Sequence, residues 1–177
     1  ELHHITSVSD DGSVVVGKHI VEAALSGGHH VTVFNRGSRQ VAYSQSVEHV
    51  QGDRTTDLYR LQGRQFDSVV DCCAYTPEHM AQAVAALQAL TNHYVFISTI
   101  SVYQRFPSGV AYDETAAVAQ GSAGYGALKA RAEELIEAGF PGRVAHVRPG
   151  LIVGPDDPSG RFAYWPVRVA VGGAVLA

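Results

Sequence analysis

The chain has 177 residues, a formal net charge of -4 and a pI of about 6.1. This length allows one domain with a hydrophobic core, and the charge provides no basic surface of the kind that binds nucleic acid. No apolar run reaches the ~20 residues of a membrane-spanning helix, and no signal peptide is recognisable, so we expect a cytoplasmic protein without nucleic-acid or membrane partners.

The predicted elements alternate between apolar runs and amphipathic stretches, which is typical of βαβ units and a parallel sheet. In chain order they are a polar strand at 5–9, a helix at 17–26, strands at 31–34 and 47–51, a short helix at 54–62, a strand at 68–73, a helix at 77–90, a strand at 93–98, a loop at 104–121, a helix at 122–139 and a strand at 142–147. The sequence therefore predicts an α/β fold with a doubly wound parallel sheet, a Rossmann-like three-layer αβα domain.

The cysteines and histidines follow no metal-binding or redox pattern. Cys72 and Cys73 are adjacent, and neighbouring cysteines rarely pair with each other, so we expect reduced thiols in a buried strand. The histidine pairs at 3–4 and 29–30 lack the spacing of metal ligands. We therefore predict no metal site.

Residues that could bind a ligand or take part in a reaction follow the predicted strands. They are Asn35 and Arg36, Asp53, Ala74 and Tyr75, Thr99, and Pro149 and Gly150. In doubly wound sheets ligands bind outside the carboxyl ends of the strands, where these residues would meet. This clustering favours a functional site at that edge of the sheet.

Tyr125 and Lys129 lie four residues apart in a predicted helix, which places both side chains on one helical face. A phenol with its usual pKa near ~10 is a poor acid or base at neutral pH, and a neighbouring ammonium lowers that pKa. The pair therefore suggests a proton-transfer device, although the same spacing also occurs on inert, solvated helix faces.

The chain resembles the extended short-chain dehydrogenases/reductases, in particular the NAD-dependent epimerase/dehydratase group. The segments that carry the resemblance are 31–37 (VTVFNRG), 52–54 (GDR), 69–75 (VVDCCAY), 95–103 (VFISTISVY), 125–129 (YGALK) and 148–155 (RPGLIVGP). Their number and order, more than any one of them, indicate the family.

The resemblance implies roles for individual residues. Tyr125 would be the catalytic acid/base, Lys129 would lower its pKa and bind the nicotinamide ribose, and Thr99 would polarise the substrate oxygen, with Ser98 as the alternative. The implied cofactor-binding residues are Gly12, Ser13, Gly17, Asn35, Arg36, Asp53, Ala74, Tyr75, Lys129, Pro149 and Gly150. Asp53 would contact the adenine, or alternatively only form a turn. The alternative for Thr99 is a hydroxyl at the end of a strand that is bonded to the backbone.

The residues after the second strand bear on the cofactor. An acid there would bond the ribose 2′-hydroxyl of NAD and repel a 2′-phosphate. This chain has Asn35 and Arg36 instead, and the planar guanidinium suits phosphate. The sequence favours NADP, with NAD as the alternative. If these residues do not bind a cofactor, they form a solvated basic loop.

The phosphate-binding turn departs from the family pattern of three glycines. Aligned on Gly17, the first two glycines are replaced by Asp11 and Val14, with Gly12 and Ser13 inside the turn. Glycines let the backbone turn tightly and approach the pyrophosphate. We therefore expect weak cofactor binding, no binding, or an N-terminus unlike that of the family.

The C-terminal region is short, because only 27 residues follow Gly150. We predict a dinucleotide-binding domain at 1–150 and a remnant of a substrate-binding region at 151–177. Arg161, Tyr164 and Trp165 could belong to a pocket wall or to packing.

These observations predict an NAD(P)-dependent oxidoreductase or epimerase-type enzyme. It would act on a hydroxyl or keto group of a small molecule, with a nucleotide sugar as a candidate, through a proton-transfer site of Thr99, Tyr125 and Lys129. The alternative is a non-catalytic Rossmann-like domain that senses a dinucleotide or binds a partner. A homodimer is left open.

Overall fold

The computed structural model describes residues 3–8, 13–38, 41–121, 123–155, 157 and 159–174. Within them six parallel strands form one sheet in the order β3-β2-β1-β4-β5-β6. The strands are β1 (His3–Val8), β2 (His30–Asn35), β3 (Glu48–Gln51), β4 (Ser68–Asp71), β5 (Tyr94–Ile97) and β6 (Val144–Val147). The strand order reverses between β1 and β4, which creates the crevice in which doubly wound folds bind ligands.

In the part of the chain that the structure describes, four α-helices connect or follow the strands. They are α1 (Ser13–Ser26), α2 (Pro77–Leu87), α3 (Tyr125–Gly139) and α4 (Arg161–Val171), with single 3₁₀ turns at Leu58–Leu61 and Ile100–Val102. The predicted doubly wound α/β fold is confirmed. Helix α1 begins four residues before the predicted start at 17, and the helix expected at 54–62 is reduced to one 3₁₀ turn.

Apolar side chains on the two faces of the sheet form two cores. The larger one joins β4 and β5 to α2 and α3, and includes Val69, Phe96, Met80, Ile136 and Phe140. The smaller one joins α1 to β2. Thr76 caps α2 by accepting a hydrogen bond from the backbone N–H of His79, and Pro77 occupies the first helical position, where its missing N–H leaves no bond unmade.

The predicted polar strand is observed as β1, at 3–8 rather than 5–9. It lies in the middle of the sheet, paired with β2 along six residues and with β4 along four. Both cysteines are buried directly after β4, and neither is in a disulfide bond.

Helix α4 contributes nothing to either core, because none of its residues is buried. Tyr164 and Trp165 are exposed and stack against each other, with ring centroids 5.1 Å apart. Across the described ranges, no helix combines the length and the apolarity that crossing a membrane requires.

Candidate functional site

A cavity of about 420 Å³ opens at the carboxyl ends of the strands. Seven of the residues that the resemblance implies for catalysis or cofactor binding line it: Tyr75, Ser98, Thr99, Tyr125, Lys129, Pro149 and Gly150. They come from the ends of β4, β5 and β6 and from the first turns of α3. The topology thus brings together segments that are up to 75 residues apart in the chain.

Lys129 is buried at the bottom of this cavity, with 1% of its surface exposed. Its ammonium donates hydrogen bonds to the carbonyl oxygens of Ile97 (2.7 Å) and Ala74 (3.1 Å), at the ends of β5 and β4. It also lies 4.1 Å from the centroid of the Phe96 ring, where the cation–π attraction is favourable. Burial lowers the pKa of Lys129 to about 8, so this residue is not part of a solvated helix face.

Tyr125 is the first residue of α3 and lines the cavity with half of its surface exposed. The preceding Gly124 has a φ of 87°, a left-handed conformation that favours glycine at this entry to the helix. Because Lys129 follows one helical turn later, both side chains project from the same face of α3 toward the cavity.

Gly126 was not recognised in the sequence as part of the site. A Cβ atom on this residue would overlap the carbonyl oxygen of Ser101, in the 3₁₀ turn after β5. The missing side chain therefore lets the start of α3, with Tyr125, pack directly on the turn that carries Thr99. The only sequence signal was a glycine inside an otherwise apolar helical pattern.

Three hydroxyl groups lie on the β5 side of the cavity. Thr99 caps the 3₁₀ turn, because its Oγ1 accepts the backbone N–H of Ser101 (3.1 Å) and donates to the Ser101 hydroxyl (3.2 Å). Ser98 is different, since its Oγ is buried and has no hydrogen-bond partner among the described residues. A buried polar atom without a partner costs free energy that a bound ligand could recover.

Asp53, Arg36 and His79 lie close together at the ends of β2 and β3 and the start of α2. Hydrogen bonds from Thr55 lower the pKa of Asp53, and the charges of Arg36 and His79 lower it further. Asp53 thus forms the turn that the sequence offered as its structural alternative, because its Oδ1 accepts from the N–H and hydroxyl of Thr55 at 2.8 and 2.6 Å.

A buried ion pair that the sequence did not predict joins the ends of β3 and β4. Arg54 donates two 2.8 Å hydrogen bonds to Asp71, and the Tyr94 hydroxyl donates a third at 2.6 Å. Burial would raise the pKa of Asp71, but these partners outweigh it and hold the pKa well below its usual range. The sequence does contain one signal of this pair, which is the carboxylate of Asp71 at the end of an apolar strand. A buried carboxylate needs a hydrogen-bonding partner of opposite charge.

A second pair fixes the end of β6. Arg148 donates to both carboxylate oxygens of Glu133 on α3, at 3.0 and 2.7 Å, and to the Tyr103 hydroxyl at 3.3 Å. These hydrogen bonds raise the pKa of Arg148, so it stays charged. Glu133 follows Lys129 by one helical turn, so this pair ties the strand before Pro149 and Gly150 to the helix that carries the site.

The glycine turn is only partly described. Gly12, Asp10 and Asp11 lie outside the described residues. Ser13 is the first residue of α1, and Gly17 is buried inside that helix, as expected of the glycine that lets helix and strand pack closely. Among the described side chains, no three histidines, cysteines or acids gather as metal ligands would.

Arg161 lines the same cavity, together with Asp157 and Ser159. The guanidinium Nε donates to the Ser159 hydroxyl at 3.2 Å. Of the three residues considered for a pocket wall, Arg161 therefore lies at the cavity, whereas Tyr164 and Trp165 are not among its lining residues.

Comparison with known proteins gives a family and a fold. A family model described as NAD(P)H-binding matches residues 13–163. No curated protein matches the chain significantly. Among solved structures, the Bordetella bronchiseptica enzyme WbmH in complex with NAD⁺ is 19% identical with a TM-score of 0.74, and the match covers 97% of this chain and 64% of that one.

Two sugar-nucleotide epimerases are also similar. UDP-glucuronic acid 4-epimerase from Bacillus cereus, in complex with NAD, is 18% identical with a TM-score of 0.68, over 87% of this chain and 58% of that one. UDP-glucose 4-epimerase from Bifidobacterium longum, in complex with NAD⁺ and UDP, is 12% identical with a TM-score of 0.64, over 82% and 52%. At these identities the likeness establishes the fold, and the chain spans little more than half to under two thirds of these structures.

Proposed function

The chain belongs to the NAD(P)H-binding family, and on this basis we propose that it is a nicotinamide-dependent oxidoreductase or epimerase-type enzyme acting on a hydroxyl or keto group. The observation that carries the proposal is the convergence of Thr99, Tyr125 and Lys129 on one cavity at the carboxyl ends of the strands.

The residues around this cavity fit the nicotinamide half of a dinucleotide. Lys129 supplies its third ammonium N–H, because the other two donate to backbone carbonyls. Ser98 supplies a buried hydroxyl that has no partner among the described residues, and Pro149 and Gly150 line the cavity. Tyr75 and Ala74 would flank the ribose, and Asp53 the adenine. When bound, the nicotinamide would accept or return a hydride at a substrate carbon.

Tyr125 is the residue proposed to move the proton. Its phenol is half exposed at the cavity, so a substrate oxygen can reach it. Lys129 remains charged below about pH 8, and a cation one helical turn away favours the phenolate. Tyr125 would then take a proton from a substrate hydroxyl as it is oxidised, or return one as a keto group is reduced.

Thr99 or Ser98 would hold the substrate oxygen. Thr99 is the residue that the family pattern selects, and its hydroxyl would have to turn away from Ser101 in order to donate to a ligand. Ser98 needs no such change. We keep Thr99 as the first assignment and Ser98 as the alternative, and both can be tested by substitution.

The substrate class we propose is a nucleotide sugar. Support comes from similar structures whose names include UDP-glucuronic acid and UDP-glucose epimerases, and from Arg161 at the cavity mouth, which could pair with a phosphate or carboxylate. Residues 151–177 would then be the remnant of a substrate-binding region next to the dinucleotide domain at 1–150. A cytoplasmic location and a homodimer stay predictions.

The second candidate function is a non-catalytic dinucleotide sensor. The sequence of the first turn favours it, because Asp11 and Val14 stand where the family has glycines. A carboxylate repels a diphosphate, and a Cβ keeps the backbone away from it. The two candidates differ in one respect that can be measured, which is turnover.

The test of the enzyme proposal is a turnover assay of the chain with NADP⁺ or NAD⁺ and a panel of UDP-sugars. Reduced cofactor would be followed by absorbance, and sugar epimers by chromatography. We expect turnover with at least one UDP-sugar and its loss in Tyr125→Phe, with cofactor binding retained. Cofactor binding without turnover on any substrate would favour the sensor, and turnover that survives Tyr125→Phe would exclude this residue as the acid/base.

A further inference from the structure

Helix α4 exposes a large amount of apolar surface. None of its eleven residues is buried. Only Arg161 and Arg168 among them are charged. Six carry large apolar side chains that are 49–77% exposed, namely Phe162, Tyr164, Trp165, Val167, Val169 and Val171. A helix on the surface of a globular protein normally turns such residues toward a core and faces the solvent with polar ones, so α4 has the composition of a helix that is covered.

The sequence of α4 does not favour a helix that stands alone. An isolated helix of this length is marginal in water even when its residues favour helix. Pro166 lies inside α4, and Gly160 before it provides no side-chain cap. Its valines and aromatic residues have low helix propensity. Contact with another apolar surface would therefore be what holds α4 in its helical form.

A groove with apolar walls lies beside the carboxyl ends of β5 and β6. It has a volume of about 550 Å³, and among its described lining residues only His19 has a polar side chain. One wall is a stripe of α1 with helical spacing, formed by Val16, Ile20 and Ala23. The other wall follows the ends of the strands and consists of Ile97, Val147, Pro149, Ile152 and Val153.

The groove and α4 lie close to each other and form one apolar surface. Ile152 lines both the groove and the cavity of the candidate site, and Arg161, the first residue of α4, lines that cavity as well. The exposed apolar side chains of α4 and of the groove amount to on the order of 800 Å². That area exceeds the largest apolar patch of a typical monomer and matches what one partner contributes to a stable interface.

We propose that a second copy of this chain covers this surface. In a two-fold dimer, the α4 helix of each protomer would lie in the groove of its partner, because a surface with both an apolar ridge and an apolar groove is complementary to itself. Arg168 donates to the carbonyl oxygens of Gly172 and Ala174 beyond the helix, so it stays at the solvated rim. The contact would then bury no unpaired charge.

The dimer goes beyond the proposed function and does not depend on it. It would nevertheless support the candidate site, because several residues line both the groove and the cavity that holds Tyr125 and Lys129. They are Val15, Val16, Ile97, Pro149 and Ile152. The partner's α4 helix would lie behind this shared wall and keep water from it.

The experiment uses Trp165, which is the only tryptophan of the chain, so its fluorescence reports on α4 alone. Sedimentation velocity and tryptophan emission of the full chain would be measured from nanomolar to high micromolar protein concentration. We expect a dimer that dissociates on dilution, with the emission moving to longer wavelength as Trp165 becomes exposed. A monomer at every concentration would overturn the inference, whether Trp165 is exposed or is shielded by its own chain.

Two variants test the two sides of the contact. Phe162→Glu on α4 and Ala23→Glu in the groove should each weaken the dimer by about tenfold or more, because each places an unpaired carboxylate in an apolar contact. Phe106→Glu is the matched control, because Phe106 is 58% exposed, against 63% for Phe162, and lies outside this surface.

The control should leave the dimer unchanged. Equal weakening by Phe106→Glu and Phe162→Glu would overturn the inference, as would a dimer that either Phe162→Glu or Ala23→Glu leaves intact. Circular dichroism spectra like that of the wild type would show that the variants fold.

Discussion

The carbonyl oxygen of Ser101 occupies the space that a side chain on Gly126 would need. Contact between these two residues packs the start of α3 on the turn after β5, so that Tyr125 and Thr99 line the same cavity. We expect Gly126→Ala to push the two elements apart, to destabilise the fold by about 1–3 kcal/mol, and to abolish turnover. Urea unfolding and the turnover assay would measure the two effects.

Gly27→Ala is the control for this substitution. A Cβ at Gly27 would meet chiefly the ring of His29, a side chain that can move. Gly126→Ala with wild-type stability and turnover would show that the packing of α3 on the turn tolerates a side chain, and that the site does not depend on it.

The Arg54–Asp71 pair should be among the most sensitive positions of the fold. Removing one partner, in Arg54→Met or Asp71→Asn, leaves the other polar group buried, so each single change should cost about 3–5 kcal/mol. The double variant should cost clearly less than the sum of the two. Chemical denaturation of all four proteins gives the coupling free energy.

The exposed pair Arg131–Glu134 provides the comparison, because substituting either residue should cost no more than about 1 kcal/mol. If the two single variants at Arg54 and Asp71 cost as little as this surface pair, the described coupling between β3 and β4 is absent in solution. The contribution of Asp71 should be fully present above the carboxyl pKa of the unfolded chain, and it should be lost progressively as the pH falls from that value toward the depressed pKa of the folded state.

Lys129 should make stability depend on pH in the alkaline range. Burial lowers its pKa to about 8 from 10.5, so between these values the unfolded chain binds a proton that the folded chain does not. Stability therefore rises with pH in this window. Below it the full cost of the buried ammonium is present, on the order of 3 kcal/mol.

Lys129→Met removes this dependence. Relative to the variant, the free energy of unfolding of the wild type should rise by up to about 3 kcal/mol between pH 7.5 and 10.5. Urea titrations at several pH values would detect it. A difference that stays constant with pH would mean that the ammonium is better solvated than its burial and contacts indicate.

Ser98 and Thr99 can be separated by substitution. Thr99→Val removes the cap of the 3₁₀ turn as well as a hydroxyl, so it should lower stability by about 1 kcal/mol. Ser98→Ala removes a buried hydroxyl that has no described partner, so it should leave stability unchanged or increase it. Turnover lost in Thr99→Val alone supports the first assignment, and turnover lost in Ser98→Ala alone transfers the role to Ser98.

Much of the fold could be predicted from the sequence because its strands are short apolar runs between turn residues. The strands at 31–34, 47–51 and 93–98 are observed within two residues of their predicted bounds. The start of α1 was wrong because Val14, Val15 and Val16 are β-branched, and the packing of α1 on β1 and β2 outweighs their low helix propensity. The prediction of a helix at 54–62 was wrong because polar residues there form turns, among them the Asp53–Thr55 turn.

The candidate site was predicted less completely. Strand ends and the spacing of Tyr125 and Lys129 indicated residues that line one cavity, since a parallel sheet gathers its carboxyl ends at one edge. Asn35, Arg36 and Asp53 were expected at the same edge but are not among the lining residues. Pairing across distant segments, as in Arg54–Asp71 and Arg148–Glu133, has no periodic signal in the sequence and depends on register. The role of Gly126 depends on a close approach that only the packed structure reveals.

The central claim is that this chain binds a nicotinamide dinucleotide with its reactive end beside Tyr125 and Lys129. Calorimetric titration with NADPH and with NADH tests it most directly, using Lys129→Ala as the comparison. We predict saturable binding of NADPH, weaker binding of NADH, and loss of affinity for both in the variant. No binding of either dinucleotide by the wild type at millimolar concentration would contradict the account.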